Sequence, residues 1–170
     1  MKSQLVWYRD WIFYGVITII VAIDQFTKAL VKAYIPVGDS WIDIGIFSVI
    51  HGLNRGSAFG LFQGYTVPLI VLSIIGIAAI LYFFRRQQYN SLPMRIALGF
   101  IVGGAIGNLL DRLKDGVVVD FISVGWWPAF NVADSFISVG MVMVATIVLL
   151  GERFGWGGYS SDEEGNSHDS

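Results

Sequence analysis

The polar positions of this chain do not alternate with apolar ones on the scale of a soluble helix. Instead they interrupt four long apolar stretches. The longest uncharged run is Gly56 to Phe84, and its core, Gly64 to Phe84, exceeds the roughly 20 residues needed to cross a hydrocarbon layer. Trp11 to Ile23 and Ile96 to Leu110 are too short alone, and Ser135 to Gly151 is borderline. Each reaches spanning length only by taking in ionisable residues: Asp24 and Lys28, then Asp111 and Arg112, then Asp134. The pattern predicts spans at 11–32, 65–84, 94–113 and 132–151.

Between the first two spans, residues 33–64 behave differently. Trp41, Asp43, Gly45, Phe47 and Val49 take one parity, and Ile42, Ile44, Ile46 and Ser48 take the other. That spacing predicts one or two short strands in a loop lying on the membrane, with Trp41 at the interface. After Glu152 the chain turns to Ser, Gly, Asp and Glu, so 154–170 is expected to be a disordered acidic tail with His168 solvated. The fold class expected is an all-α integral membrane four-helix bundle with a small β-containing loop on one side.

Composition agrees. The 170 residues are 55% hydrophobic and 14% charged, against about 25% charged in an ordinary soluble domain. A soluble chain of this length has too little interior to bury that much apolar surface. The net charge of -2 and the lack of a dense basic patch argue against nucleic acid as a partner. With no cysteine and only His51 and His168, thiol chemistry and a His-based triad or zinc site have little to draw on, so neither a metal nor a cofactor is expected.

Lys2 and Arg9 precede the first span, Arg85, Arg86 and Arg95 surround the second-to-third link, and Arg153 follows the fourth. This bias sets those segments, and both termini, in the cytoplasm. Lys32, Arg55 and Lys114 on the other side make the bias moderate. A cleaved signal peptide is the alternative for the first stretch, but Asp24, Gln25 and Lys28 stand where a small-residue cleavage site belongs.

This topology brings Asp24, Lys28, Asn108, Asp111, Arg112, Asn131 and Asp134 to the outer ends of three helices, with Asp120 in the connection before the fourth. Charges in hydrocarbon cost at least about 2.5–3.5 kcal/mol each, so such groups face a bundle interior and have a partner or a function. Asp24 and Lys28, four apart, can pair. Gly99, Gly103, Gly104 and Gly107 form a small-residue stripe suited to close helix packing, with admission of substrate at Gly104 a secondary role. Asp120 and Asp134 are the strongest acid–base candidates, separated by Gly125, Trp126, Trp127 and Pro128, which suit a turn. If they meet, they share a proton, and the ionised one activates water. The plainer reading stays open: Asp134 caps a helix and Asp120 is a loop acid. Ser57 and Ser135 lack a base and read as structural.

Five segments in order resemble the blocks of lipoprotein signal peptidase (signal peptidase II), an aspartyl membrane protease family, over roughly residues 10–153. They are Asp24-Gln25-Phe26-Thr27-Lys28, Asn54 to Gly60, Gly103 to Arg112, Val118-Val119-Asp120-Phe121, and Phe130 to Ser135. The resemblance implies a peptidase domain over 1–153 that cleaves a prolipoprotein before its diacylglyceryl-modified cysteine, without metal or cofactor. It implies Asp120 and Asp134 as the catalytic dyad. Asn54, Gly104, Asn108, Arg112, Asn131 and Ala133 match positions associated with substrate or with globomycin. Asp24 and Lys28 match a structural or supporting pair. It further implies the bacterial inner membrane, an active site toward the periplasmic leaflet, and the 33–64 loop as a cradle with a mobile part. A monomer is expected, because one chain supplies every site residue.

Two other classes compete. A proton or ion carrier would also hold intramembrane acids, but it needs a polar path across the bilayer and often inverted repeats. A non-catalytic scaffold would keep the binding residues and tolerate loss of either acid.

Overall fold

Four helices carry the apolar stretches in the computed structural model, which describes residues 10–56, 66–85 and 91–154. They are α1 (Trp11–Tyr34), α2 (Thr66–Arg85), α3 (Leu92–Asp115) and α4 (Val132–Phe154), each long and apolar enough to cross a membrane. The expectations for Ser57, for a mobile part of the outer loop and for the acidic tail lie outside the described residues, apart from Phe154, which ends α4.

The starts of α1 and α3 have local causes. Asp10 caps α1 by accepting from the Phe13 amide at 3.0 Å, and its other oxygen lies 3.2 Å from Arg95 Nε on α3. Pro93 sits in the first turn of α3, where a missing N–H costs nothing. At the far end of α3, Gly116 takes the left-handed conformation (φ +72°) and its N–H closes on the Arg112 carbonyl.

Helix α3 is the centre of the bundle, and its glycines explain why. A Cβ at Gly99 or Gly103 would press into Val16 or Ile20 of α1, and one at Gly104 would collide with the Ala133 carbonyl of α4. The stripe thus lets both neighbours approach the α3 backbone. Helix α2 is mostly exposed, with Leu69 its buried residue among those described. An apolar cluster of Met94, Ala97 and Ile147 closes the end of the bundle that also holds the Asp10–Arg95 pair.

The opposite end carries a four-stranded antiparallel sheet, ordered β1 (Ser40–Asp43), β2 (Phe47–Asn54), β3 (Val118–Val124), β4 (Trp127–Phe130). Its first two strands lie in the loop where alternation predicts them. The other two come from the α3–α4 connection and have no such forewarning. Val118 to Phe121 are all buried, so β3 presents no polar face and no alternation. The β2–β3 register sets Gly52 opposite Asp120 and Asn54 opposite Val118. Gly125 (φ +53°) and Trp126 make the two-residue turn into β4, where Val124 faces Trp127. His51 ties the sheet to α1: its Nδ1–H donates to the Ile35 carbonyl at 2.6 Å, so it is engaged away from the acids.

Candidate active site

The sheet end of the bundle gathers a buried polar network from α1, α3, β3 and the start of α4. It begins at Asn131, which precedes α4. The Asn131 side-chain oxygen accepts from the Asp134 amide at 3.0 Å, while Asp134 accepts from the Asn131 amide at 3.2 Å. This reciprocal pair is a capping box, in which two groups three residues apart satisfy each other's free amide. The capping role open to Asp134 is therefore real, and it holds the carboxylate rather than occupying it. The Asn131 side-chain amide turns the other way and donates to Asp120 at 2.7 Å. One residue thus holds both acids, through its backbone and its side chain.

Amides complete their surroundings. Asn54 at the end of β2 donates to the second Asp120 oxygen at 2.8 Å. Asn108 on α3 donates to Asp134 at 2.7 Å, and its own oxygen accepts from Asn131 at 3.1 Å. Among the described residues neither acid is in an ion pair. Burial pushes the Asp120 carboxyl up to about 6; the charge of Asp134 adds to the rise, and the amides of Asn54 and Asn131 oppose it.

Behind this pair lies a charged cluster of a different kind. Lys28 is 1% exposed and Asp24 is fully buried. Lys28 Nζ lies 2.8 Å from both Asp24 and Asp111 and donates to the Asn108 oxygen at 2.9 Å. Gln25 bridges Asp24 and Asp111, and Asp24 accepts from the Ala133 amide at 3.0 Å, another free N–H at the start of α4. A Cβ at Gly107 would meet the Asp24 carboxylate at 2.5 Å, so only glycine leaves room for the acid between α1 and α3.

The two acids open onto a cleft of about 620 Å³. Asn54, Asn108 and Arg112 line it with Asp120 and Asp134, as do Trp127 to Phe130 of β4 and Ile137 to Val139 of α4. Ser73 brings α2 to its edge. Gly104, Asn131 and Ala133 are buried behind the lining. Arg112 reaches the Gly56 carbonyl at 3.1 Å and the Asn108 backbone carbonyl at 3.4 Å, rather than the Asn108 side chain. Ser135 donates to the Asn131 carbonyl. Sequence reasoning missed the β4 wall, Gln25 and the bonding of Asp111 to Lys28; the Asp24-Gln25 block and the span-end position of Asp111 were the available signals.

Two carboxylates bridged by one asparagine over an open cleft, with neither in an ion pair among the described residues, is what an acid–base pair for hydrolysis requires. The family model for signal peptidase (SPase) II matches residues 16–150 of this chain. The chain belongs to the signal peptidase II family. It is a multi-pass membrane peptidase, and an aspartic type fits the family. A lipoprotein signal peptidase of Dehalococcoides mccartyi strain BAV1 is 43% identical over 123 residues, covering 70% of this chain and 77% of that protein. One from Caldanaerobacter subterraneus subsp. tengcongensis is 40% identical over 136 residues, covering 79% and 93%. Among solved structures, a bacterial membrane enzyme determined by the in meso method at 2.3 Å resolution is similar, with a TM-score of 0.75 and 30% identity over 92% of this chain and 94% of that one. A second, at 1.9 Å, has a TM-score of 0.73 and 32% identity over 81% and 92%.

Proposed function

We propose that this chain removes signal peptides from diacylglyceryl-modified prolipoproteins, cutting before the lipidated cysteine with Asp120 and Asp134 as the catalytic pair. The observation that carries the reading is the bridging of both acids by Asn131 at one cleft, with neither in an ion pair among the described residues. In this mechanism Asp134 is the ionised partner. It stands in the first turn of α4, where the helix dipole favours negative charge. Asp134 takes a proton from water as the water oxygen bonds to the scissile carbonyl carbon. Asp120 gives its proton to the carbonyl oxygen. On collapse of the tetrahedral adduct the C–N bond breaks, one gem-diol hydroxyl returns its proton to Asp120 as the carbonyl reforms, and the proton held by Asp134 passes to the leaving amine of the lipidated cysteine. No covalent enzyme intermediate forms.

The cleft suits a substrate arriving through the bilayer. Its edges are Ser73 on α2 and Ile137 to Val139 on α4, so an apolar signal segment can lie between those helices. Asn54, Asn108 and Arg112 orient the peptide backbone and lipid headgroup. Gly104 and Ala133 act through the packing that fixes α4, and Asn131 acts through its hydrogen bonds to both acids. The placement of Lys and Arg puts both termini in the cytoplasm of a bacterium and the sheet end toward the periplasmic leaflet of its inner membrane. A globomycin-type peptide is the expected inhibitor, and the working unit is a monomer.

The test is cleavage of a diacylated prolipoprotein by purified wild type, Asp120→Asn and Asp134→Asn in detergent with a chelator present. Both variants should be inactive yet folded, with wild-type turnover unaffected by chelator. Turnover by either variant removes that acid from the mechanism, and loss of wild-type turnover in chelator defeats the metal-free pair. Arg112→Ala should insert normally and turn over poorly.

A further inference from the structure

Strand β3 has a second side. Val118 and Asp120 face the catalytic cleft, while Val119 and Phe121 pack with Val31 of α1 and with Ile35 just after it. On that side lies a separate groove of about 650 Å³, between the sheet end of α1 and the back of the sheet. Val31, Ile35 and Phe121 are its buried floor, and Leu30, Tyr34 and Trp41 are exposed on its walls. Phe47 and Val49 of β2 extend the floor under the strands. The hydroxyl of Thr27 is already spent on the carbonyls of Ile23 and Asp24, which leaves the Tyr34 hydroxyl and the Trp41 N–H as the other side-chain polar groups of the lining. A lining this apolar does not suit water, which needs two or more polar partners.

The surface leading into it identifies what does. Ile12, Ile19, Ile23, Phe26, Leu30 and Tyr34 are all exposed, and their spacings of seven, four, three, four and four put them on one face of α1. In a helix that crosses a bilayer, this stripe is in contact with lipid chains. It runs without a break into the groove, whose wall is built from its last two members. Trp41, 74% exposed, and Tyr34 stand at the mouth, the expected place for aromatic residues at the boundary between hydrocarbon and headgroups.

We propose that the groove is a site for one acyl chain of a bilayer phospholipid, and that this chain braces β3 from behind and so steadies Asp120 in the cleft. The proposal rests on the bilayer-spanning reading with the sheet at the interface. The occupant is a bilayer lipid rather than the acyl chain of the substrate being cut, because β3 itself separates the groove from the cleft. Phe121 is the link: it stands next to Asp120 on the strand and forms the floor of the groove.

The test uses the full chain in vesicles of phosphatidylethanolamine and phosphatidylglycerol containing a trace of phosphatidylcholine with a diazirine on one acyl chain. After illumination, adducts are mapped by mass spectrometry. Adducts on 27–35 and 47–49 should saturate with the labelled lipid, whereas those at Ile19 and Ile23 should rise in proportion to it. Leu30→Trp and, independently, Val49→Trp fill the groove and should lower its adducts by about tenfold or more, since each excluded methylene forfeits its burial. Ile19→Trp should leave them unchanged. With prolipoprotein as substrate, wild type stripped of lipid should lose turnover and regain it on adding the phospholipid, while a folded groove-filling variant should depend on lipid less. Uniform, non-saturating labelling along α1 would show ordinary boundary lipid and overturn the site. Displacement of the groove adducts by prolipoprotein would give the groove to the substrate. Disulfide-linked dimers of Tyr34→Cys, the only cysteine such a chain has, would give it to a second copy. The labelling needs no catalysis, so it still reads the site if the proposed cleavage reaction fails.

Discussion

Two groups of carboxylates lie within one polar region of this molecule, and they are held by different chemistry. Asp24 and Asp111 share the Lys28 ammonium at 2.8 Å each, with Gln25 across the top. Asp120 and Asp134 receive hydrogen bonds from Asn54, Asn108 and Asn131. An ammonium neutralises a buried carboxylate and commits it to structure. An amide orients a carboxylate and leaves its charge and proton in play. Asn108 joins the two groups, accepting from Lys28 and donating to Asp134. The lysine cluster therefore sets the amide that faces the dyad, and the first group is the frame on which the second is mounted.

The largest effect that sharpens this contrast is on turnover. Asp120→Asn or Asp134→Asn should lower kcat/KM by about a thousandfold or more, the scale of losing acid–base catalysis. The double variant should fall little further, because the two act as one unit. Asp111→Asn should instead reduce the yield of folded protein. If Asp111→Asn abolished turnover with folding intact while a dyad variant kept it, the two groups would have to exchange roles.

Next comes Lys28→Met, which strands two buried carboxylates. Breaking a buried pair this way costs about 3–5 kcal/mol, read as loss of folded protein or early unfolding in detergent. Adding Asp111→Asn should recover part of the loss. A silent Lys28→Met would mean that the cluster is not the frame.

A smaller effect lies in pH. The folded chain holds the Asp120 proton up to about 6, against an ordinary 3.8. The resulting stabilisation is complete below the lower value and is lost as pH rises through the upper one. Thermal unfolding of wild type should therefore lose on the order of 2 kcal/mol relative to Asp120→Asn between pH 4 and 7. A constant difference across that range would contradict a raised Asp120.

The smallest effect is at Lys32–Asp115. This pair is 2.6 Å long, shorter than either Lys28 contact, but each side chain is about a third exposed. Lys32→Ala should change stability by about 0.5 kcal/mol or less. Equal effects of Lys28→Met and Lys32→Ala would show that burial does not distinguish the pairs.

The candidate acids themselves were legible in the chain. Asp120 and Asp134 flank the turn signal at Gly125, which the structure makes a two-residue turn with Trp126, and Asn131 with Asp134 has the spacing of a capping box. The sheet was only half legible. Alternation marks residues 41–49, but β3 is buried on both faces, and its partner β2 lies more than sixty residues away in sequence. Strand register depends on pairing and turn geometry, which no window of sequence contains. The bonding of Arg112 was also hidden, because its distant acceptor is the backbone carbonyl of Gly56, just after β2.

What the chain by itself determined is membrane residence, the four helices and the identity of the ionisable residues in them. Hydrophobic length is a local, additive property, and an apolar run declares itself wherever it folds. What only the tertiary structure decided is which acids receive the lysine and which receive asparagines. Lys28 and Asn108 are eighty residues apart, and nothing short of packing α1 against the α3 glycines brings that ammonium to that amide. Electrostatic roles follow from distances of about 3 Å across helices, and those distances exist only once the bundle has closed.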